Sequence, residues 1–339
     1  MRELHLSGCD LSKLSHSLRL LNNSLLEVLD LSYNEFNTVI PKWVFNLNNL
    51  VSLDLTSSGF LSPLPDGPWN LTSIITLNIS ENNLNGSLPN QLFGLSHLVS
   101  LDISFNQLQD PLPNSFSNLT FLKNLDASGN RMNSRIPNWI YDWTNLESLS
   151  LSDNQLQGTI SNSISNLTSL SVLYLPRNML TGEIPKQIGN LSKLQVLSLS
   201  ANMLTGEIPK QIGILSKLQG LDLANNKLEG IVTENHFVNL TKLTALSAPG
   251  NRLTMHVNPN WTPPFQLDEL YLSGWNLGPQ FPLWLQSQHQ ISRVDISNAG
   301  IEGELPTWLW NFSSQIELVN VSHNQLRGQI QNISFHPTR

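Results

Sequence analysis

The sequence predicts an elongated solenoid of the α/β class, and three observations support that prediction. First, a short apolar pattern recurs fourteen times in 339 residues, with ten of its thirteen intervals at 24 residues and three at 25. Second, each copy alternates apolar and polar residues over the length of a short strand. Third, an asparagine usually follows at a fixed distance. The first apolar residues lie at positions 4, 29, 53, 77, 101, 125, 149, 173, 197, 221, 246, 270, 294 and 319.

One copy, residues 77–100, shows how a unit forms its local structure. Leu77 and Ile79 alternate with Asn78, which is the period of a strand with one buried face. Pro89 suits the start of the return segment, because proline fixes φ and has no N–H to satisfy. The remainder is too short for a long helix and predicts a turn or 3₁₀ segment. This spacing is that of leucine-rich repeats, so we expect an arc with a parallel β-sheet on its concave face and 3₁₀ or turn segments on its convex face.

The fifth residue after the first apolar one is asparagine in ten of the fourteen copies. Its amide can bond the backbone of the turn and of the adjacent unit, which makes a ladder along the repeats. Cys9 takes this position in the first copy, and the repeat pattern allows Asn or Cys there, so we interpret the thiol as structural. Ser58, Trp275 and Ala299 also depart from asparagine. Because an indole cannot replace the bonds of the amide, we expect local curvature or an exposed indole at Trp275.

The repeats predict a single leucine-rich-repeat domain over residues 1–339, with about 14 repeats of 24–25 residues. Residues 255–265, MHVNPNWTPPF, predict an irregular proline-rich lateral loop. With one cysteine the chain has no paired-cysteine caps, so both ends are expected to be uncapped. We recognise no signal peptide and no apolar run long enough for a membrane span.

The composition and motifs argue against several classes of protein. A net charge of −7 argues against a nucleic-acid partner, for which a basic stripe would be expected. The eight histidines lack ligand spacing and one cysteine cannot build a zinc site, so we expect no metal and no cofactor. Neither a phosphate loop nor a nucleophile elbow occurs.

An aspartate recurs beside the predicted strands, but this column does not indicate catalysis. Its uniform surroundings do not supply the divergent pKa values that two catalytic carboxylates need. We therefore expect a solvated face and a protein that is not an enzyme. The column consists of Asp30, Asp54, Asp102, Asp126, Asp222 and Asp295.

Departures from the repeat consensus on the concave face predict where a ligand binds. Tyrosine and arginine replace the usual residues at two places, each beside a carboxylate of the same or a neighbouring repeat. Aromatic and arginine side chains dominate binding energy at protein interfaces. Phe105 and Tyr33 also project from this face and are weaker candidates for ligand binding. The alternative interpretation is neutral variation of an exposed sheet. The predictions are the Tyr174 patch, which is Asp153, Tyr174 and Arg177, and the Tyr271 patch, which is Glu269, Tyr271 and Arg293.

Asn-x-Ser/Thr glycosylation motifs occur throughout the chain and predict an extracytoplasmic location. Asn78 and Asn320 lie within strands on the concave face, where a glycan would block binding, so we do not expect them to be modified. The predicted glycosylation sites are Asn22, Asn70, Asn85, Asn118, Asn166, Asn190, Asn239, Asn260, Asn311 and Asn332.

Two sets of motifs resemble plant proteins. The sequence Leu-Thr-Gly-Glu-Ile-Pro at 180–185 and 204–209 resembles the plant-specific class of leucine-rich repeats. Gly-Ile-Val-Thr-Glu-Asn-His-Phe (230–237), Val-Asn-Pro-Asn-Trp-Thr-Pro-Pro-Phe-Gln-Leu (257–267) and Leu-Gly-Pro-Gln-Phe-Pro-Leu-Trp-Leu-Gln-Ser-Gln (277–288) are more specific. They are similar to plant receptor-like proteins of the fungal-xylanase-receptor and apple-scab-resistance type.

The resemblance implies a receptor on the extracellular face of the plasma membrane. Members have an extracellular repeat arc, an island loop, one membrane helix and no kinase, and they signal by pairing with receptor kinases. This chain lacks the caps, the island, the final repeats and the membrane helix, so we expect an ectodomain fragment. Its expected function is to recognise a microbial or endogenous protein or peptide in plant defence.

Two other interpretations stay open at this point. The first is a secreted inhibitor of microbial cell-wall-degrading enzymes, similar to polygalacturonase inhibitors, which have the same repeat but fewer copies and cysteine caps. The second is a truncated, nonfunctional paralogue, because missing caps would expose the apolar core at both ends.

Overall fold

A computed structural model describes residues 1–14, 25–65, 69–89, 92, 94–109, 111–311 and 316–329. The chain groups into two compact units. Unit 1 comprises Met1–Gly158 and Asn166–Asn178, and unit 2 comprises Thr159–Ser165 and Met179–Arg339. That the whole chain forms one domain stays a prediction.

The main strands of unit 1 are three residues long, and neighbours pair in parallel. The register places Leu53 directly between Leu29 and Leu77, and all three side chains are buried. Stacking one leucine per repeat therefore builds the core beneath the sheet. The main strands described in unit 1 are Glu3–His5, Val28–Asp30, Ser52–Asp54, Thr76–Asn78, Ser100–Asp102, Asn124–Asp126, Ser148–Ser150 and Val172–Tyr174.

Unit 2 repeats this arrangement, with Leu246 paired between Leu221 and Leu270. Its described main strands are Val196–Ser198, Gly220–Asp222, Ala245–Ser247, Glu269–Tyr271, Arg293–Asp295 and Leu318–Asn320.

Short lateral strands follow the main strands and pair in parallel with the lateral strands of neighbouring repeats. In unit 1 they are Asn85–Gly86, Gln107–Leu108 and Gln157–Gly158. In unit 2 they are Met179–Glu183, Met203–Gly206, Lys227–Val232, Arg252–Met255, Glu302–Glu304 and Gln325–Arg327.

The return segments are 3₁₀ helices of three to five residues, and several begin directly after a proline. Pro185, for example, precedes one with φ −66°, so the ring fixes the entry angle of the chain. Parallel strands and 3₁₀ segments confirm the predicted leucine-rich-repeat fold. The segments are Val44–Asn46, Asn114–Asn118, Asn138–Asp142, Asn162–Asn166, Lys186–Asn190, Lys210–Ile214, Glu234–His236, Leu283–Ser287 and Thr307–Asn311.

The asparagine ladder forms as the sequence predicts. The buried amide of Asn106 donates to the carbonyl of Ile79, 27 residues earlier, at 3.0 Å. It also donates to Ser104 in its own turn at 3.0 Å, while its oxygen accepts from the N–H of Leu84 at 3.1 Å. In the first repeat the exposed Cys9 thiol lies 3.5 Å from the carbonyl oxygen of Ser7, within its own turn.

The expectation of an exposed indole at Trp275 is wrong. Its side chain is 2% exposed, and the indole N–H donates to the carbonyl of Ala248 at 2.8 Å. Ala248 is 27 residues earlier, so the indole makes the same bond between repeats as an asparagine amide. The hydroxyl of Ser58 likewise donates to Leu31 at 2.7 Å. The ladder position therefore requires a donor of suitable reach and not one residue type.

Residues 256–268 of unit 2 contain no helix or strand, and aromatic packing holds this segment in place. The ring of Trp261 lies 5.6 Å from that of Phe237 and 5.8 Å from that of Trp284. Buried His236 fixes the neighbouring turn, because its Nδ1 accepts from the N–H of Thr233 and its Nε2 lies 3.1 Å from the carbonyl oxygen of Ile208. The motif at 230–237 thus has a structural role.

Replacement of Trp275 by phenylalanine tests the indole's place in the ladder. The variant loses the bond to Ala248, which keeps its bond from Asn251 at 3.0 Å, so we expect a loss of roughly 0.5–1.5 kcal/mol in the free energy of unfolding. Urea titration measures this change. Trp284→Phe is the matched control, because the buried indole nitrogen of Trp284 has no partner among the described residues. An equal loss in both variants would contradict the assigned bond.

Candidate functional site

The candidate site is the strand face, which we define as the side of the main strands that carries the residues flanking each central buried residue. In Ser100–Asp102, for example, Leu101 is buried and its two neighbours are partly exposed. Because the backbone of each strand is fixed by parallel pairing, side chains on this face have fixed spacing from repeat to repeat. Within each unit it is therefore a regular surface on which side chains vary.

The structure brings the charged residues of the Tyr174 patch together. Nη1 of Arg177 lies 3.1 Å from Oδ1 of Asp153, and the two side chains are 73% and 41% exposed. Tyr174 ends its strand three residues before Arg177, and its side chain is exposed. The patch thus offers an exposed aromatic side chain three residues before the arginine of an exposed ion pair, a combination suited to a protein ligand.

The Tyr271 patch contains a residue that the sequence did not reveal. Arg293 bonds Glu269 at 2.8 Å, and it also bonds Glu317 of the next repeat at 2.6 Å. The hydrogen bonds that Arg293 donates to Glu317, the charge of Glu317 and that of Glu269 raise the pKa of Arg293. Tyr271 lies two residues after Glu269 on the same strand. The guanidinium of Arg293 is held between two carboxylates. Glu317 lies one residue before the main strand, so the strand pattern in the sequence did not include it.

The aspartate column is not simply solvated, which corrects the expectation from sequence. Each aspartate is half-buried and accepts a hydrogen bond from the backbone N–H two residues later. Asp102 accepts from the N–H of Ser104 at 2.9 Å and from its hydroxyl at 2.6 Å. Asn78 makes the same pair of contacts with Ser80. The recurring aspartates therefore close the turn after each strand.

The charge environment differs along this column. Burial raises the pKa of Asp102 and outweighs the bonds from Ser104, with further rises from the charges of Asp126 and Asp54. At Asp30 burial also raises the pKa, but the bonds from Ser32 and the nearby His5 outweigh it and leave the pKa lowered.

Two further features of the described residues bear on other chemistry. These residues contain no group of three or more histidine, cysteine, aspartate or glutamate side chains placed to hold a metal ion. A cleft of about 300 Å³ lies in unit 2 between the segment Met255–Pro259 and the segment Leu277–Trp284. Its lining combines proline and apolar residues with His256, Asn258 and Gln280.

Seven of the predicted glycosylation sites are exposed: Asn70, Asn85, Asn118, Asn166, Asn190, Asn239 and Asn260. Asn22 and Asn332 lie outside the described residues, and Asn311 ends a 3₁₀ segment. On the strand face the amide nitrogen of Asn320 donates to Asp295 at 3.0 Å. Several exposed sites lie at or near the 3₁₀ segments, away from the strand face.

The repeated strand, ladder and 3₁₀ segment define a leucine-rich-repeat protein, and comparisons with known sequences agree. One profile described as leucine-rich repeat matches residues 122–180 and 192–253, and a second matches 25–47, 73–95 and 97–119. Together these segments cover more than half of the chain. The chain belongs to the leucine-rich-repeat family.

Its curated relatives confirm the resemblance to plant receptor-like proteins. Receptor-like protein EIX1 of Solanum lycopersicum is 40% identical over 104 residues, which are 31% of this chain and 10% of that protein. The chain thus spans about a tenth of the length of the curated relatives it matches. No helix among the described residues is both long and apolar enough to cross a membrane.

Solved receptor structures share the fold over nearly the whole chain. The crystal structure of a TDR receptor has a TM-score of 0.85 and 26% identity, covering 97% of this chain and 57% of that one. The Arabidopsis receptor kinase HAESA, solved with the peptide hormone IDA and the co-receptor SERK1, has a TM-score of 0.80 and 27% identity over 96% of this chain and 58% of that one.

Opposite pKa shifts in the aspartate column predict opposite effects of substitution by asparagine. Ionised Asp102 is disfavoured in the folded state, so Asp102→Asn should raise the melting temperature at pH 7 by roughly 1–2 °C. The gain should disappear near pH 3, below the pKa of about 3.9 of an unfolded aspartate. Asn78 shows that asparagine keeps both turn bonds.

Asp30→Asn is the control of opposite sign. Ionised Asp30 is favoured in the folded state, so its stabilisation is present at neutral pH and is lost as pH falls through the lowered pKa. This variant should melt below the wild type at pH 7 and converge with it in acid. Calorimetry from pH 3 to 7 measures both, and shifts of the same sign would contradict the assignment.

Glycan mapping tests the division between the two sides of the repeats. Secreted from plant cells, the chain should carry glycans at the seven exposed sites and none at Asn78 or Asn320, whose amides bond within the strand face. Enzymatic deglycosylation in ¹⁸O-water followed by peptide mass spectrometry reads each site. Thr120→Ala should abolish modification of Asn118 alone, and full occupancy of Asn78 would contradict the prediction.

Proposed function

We propose that this chain is the ligand-recognising part of an extracellular plant receptor-like protein that acts in immune perception. Its ligand is a protein or peptide, its signal passes through partner receptor kinases, and it catalyses no reaction. Similarity to receptor-like proteins supports the receptor role, and similarity to HAESA, solved with a peptide hormone and a co-receptor, supports the kind of ligand and partner.

The observation that carries the proposal is the exposed Tyr174 patch on a rigid sheet. Arg177 and Asp153 form an ion pair in solvent, where such a pair contributes little to folding. An arginine and a tyrosine that the fold does not need are available to a partner, and burying them would contribute strongly to binding. The full-length parent would present the patch on the extracellular face of the plasma membrane.

A response assay in leaf cells tests this function. The gene is first read on both sides of this chain, and a downstream membrane helix identifies the parent for expression. Culture filtrates of plant-pathogenic fungi and bacteria are the probes, and the oxidative burst is the readout. We expect Asp153→Ala, Tyr174→Ala and Arg177→Ala together to raise the half-maximal dose at least tenfold, since about 1.4 kcal/mol of lost binding has that effect.

Lys227→Ala is the matched control, because Lys227 is also an exposed cation but lies on a lateral strand. It should leave the dose response unchanged. An absent response of the wild-type parent to every filtrate, or inhibition of a microbial cell-wall hydrolase by the purified chain, would reject the receptor proposal.

A further inference from the structure

One backbone position is left-handed in every repeat. The fourth residue after the first apolar one has φ between +48° at Ser57 and +81° at Gly274. Glycine adopts this conformation without steric cost, whereas other residues do so at a cost in stability. Four repeats have glycine there and ten carry a side chain. The fourteen residues are Gly8, Tyr33, Ser57, Glu81, Phe105, Gly129, Asp153, Arg177, Ala201, Asn225, Gly250, Gly274, Asn298 and His323.

Among the bulky side chains at this left-handed position, Phe105 has a ring that packs closely against the next repeat. Its side chain is 59% exposed although its φ is +49°. A Cβ atom on Gly129, the equivalent residue of the next repeat, would lie 2.7 Å from Cδ1 of the Phe105 ring. The ring therefore rests directly on the backbone of Gly129, and no other residue fits beneath it without moving it. The result is an aromatic ring that is supported from below and open to solvent, which we call the Phe105 shelf.

The surface around the shelf is negative. Asp102 and Asp126 belong to the same two repeats and are half-buried beside it, and Glu81 takes the left-handed position of the preceding repeat. Residues 76–81, 100–105, 124–129 and 148–153 contain no lysine, arginine or histidine. Lys123, one residue before the strand Asn124–Asp126, is paired with Glu147 at 2.8 Å, so this pair adds no net positive charge. A partner that covers the shelf must therefore bring positive charge to satisfy these carboxylates.

We propose that the Phe105 shelf binds an extended basic peptide segment, with an aromatic or aliphatic side chain on the ring and cationic side chains facing Asp102, Asp126 and Glu81. This inference rests on the proposed function and gives the chemical class of the ligand. Aromatic stacking supplies the anchor, and cations also bind favourably to an aromatic face. Glycine at position 105 would give a more stable fold, so a role in binding explains why the strained phenylalanine is retained.

Phe105→Gly separates binding from folding. Glycine removes the ring and relieves the left-handed backbone, so the melting temperature should stay equal or rise. Two fluorescein-labelled probe peptides of sequence Lys-Gly-Lys-Trp-Lys-Gly-Lys and Glu-Gly-Glu-Trp-Glu-Gly-Glu are titrated with the secreted chain by anisotropy. We expect the basic probe to bind at least tenfold more tightly than the acidic one. Phe105→Gly should weaken the basic probe at least tenfold, and Asp102→Asn with Asp126→Asn should do the same.

Tyr33→Gly is the control, because it removes an equally exposed aromatic from the same left-handed position of a different repeat. It should leave binding of the basic probe unchanged. Gly129→Ala, which displaces the ring, should weaken binding while Phe105 is still present. Equal affinity for the two probes, or unchanged affinity of the Phe105→Gly variant, overturns the inference. If the parent carrying Phe105→Gly keeps its response to filtrates and the Tyr174 patch variant loses it, this inference fails while the receptor proposal stands.

Discussion

The fold depends on satisfying the backbone where each strand turns away from the sheet. At that point carbonyl groups are buried and the sheet no longer pairs them, and an unpaired buried polar group costs about 1–3 kcal/mol. The amide of Asn106 meets this requirement across a 27-residue separation, and the indole of Trp275 and the hydroxyl of Ser58 do so at the same separation. This bond fixes the path of the chain, which in turn fixes the left-handed residue just before it.

The left-handed residue explains where the molecule can vary. Its N–H bonds the next repeat, as Phe105 bonds Ser128 at 2.8 Å, so its backbone is constrained while its side chain is free. Glycine would be the most stable choice, yet Arg177 and Phe105 occupy the position and remain exposed. The stability of the fold therefore does not account for these side chains, and the proposed role in binding does.

The sequence predicted the strands, the ladder and the 3₁₀ segments because each depends on a residue type at a fixed spacing. It did not predict the role of Trp275, since the reach of an indole to Ala248 depends on the distance between stacked repeats. It missed Glu317, which reaches Arg293 from just outside the strand pattern. From the sequence we expected the aspartates to be solvated. The turn bonds, such as the one that Asp102 accepts from Ser104, can be identified only from the backbone structure.

The two predicted patches differ in how readily they can bind an anionic group. Arg293 is held by Glu269 and Glu317 on opposite sides, so an incoming carboxylate must displace one of them and meets the charge of the other. Among the described residues Arg177 has one ion-pair partner, Asp153, and its side chain is 73% exposed. A ligand carboxylate can approach Arg177 with less repulsion, whereas the surroundings of Arg293 carry excess negative charge. The Tyr174 patch is thus the better place for a mixed-charge ligand, and it lies in the same unit as the negative surface around Phe105, so a partner with both signs of charge could use both.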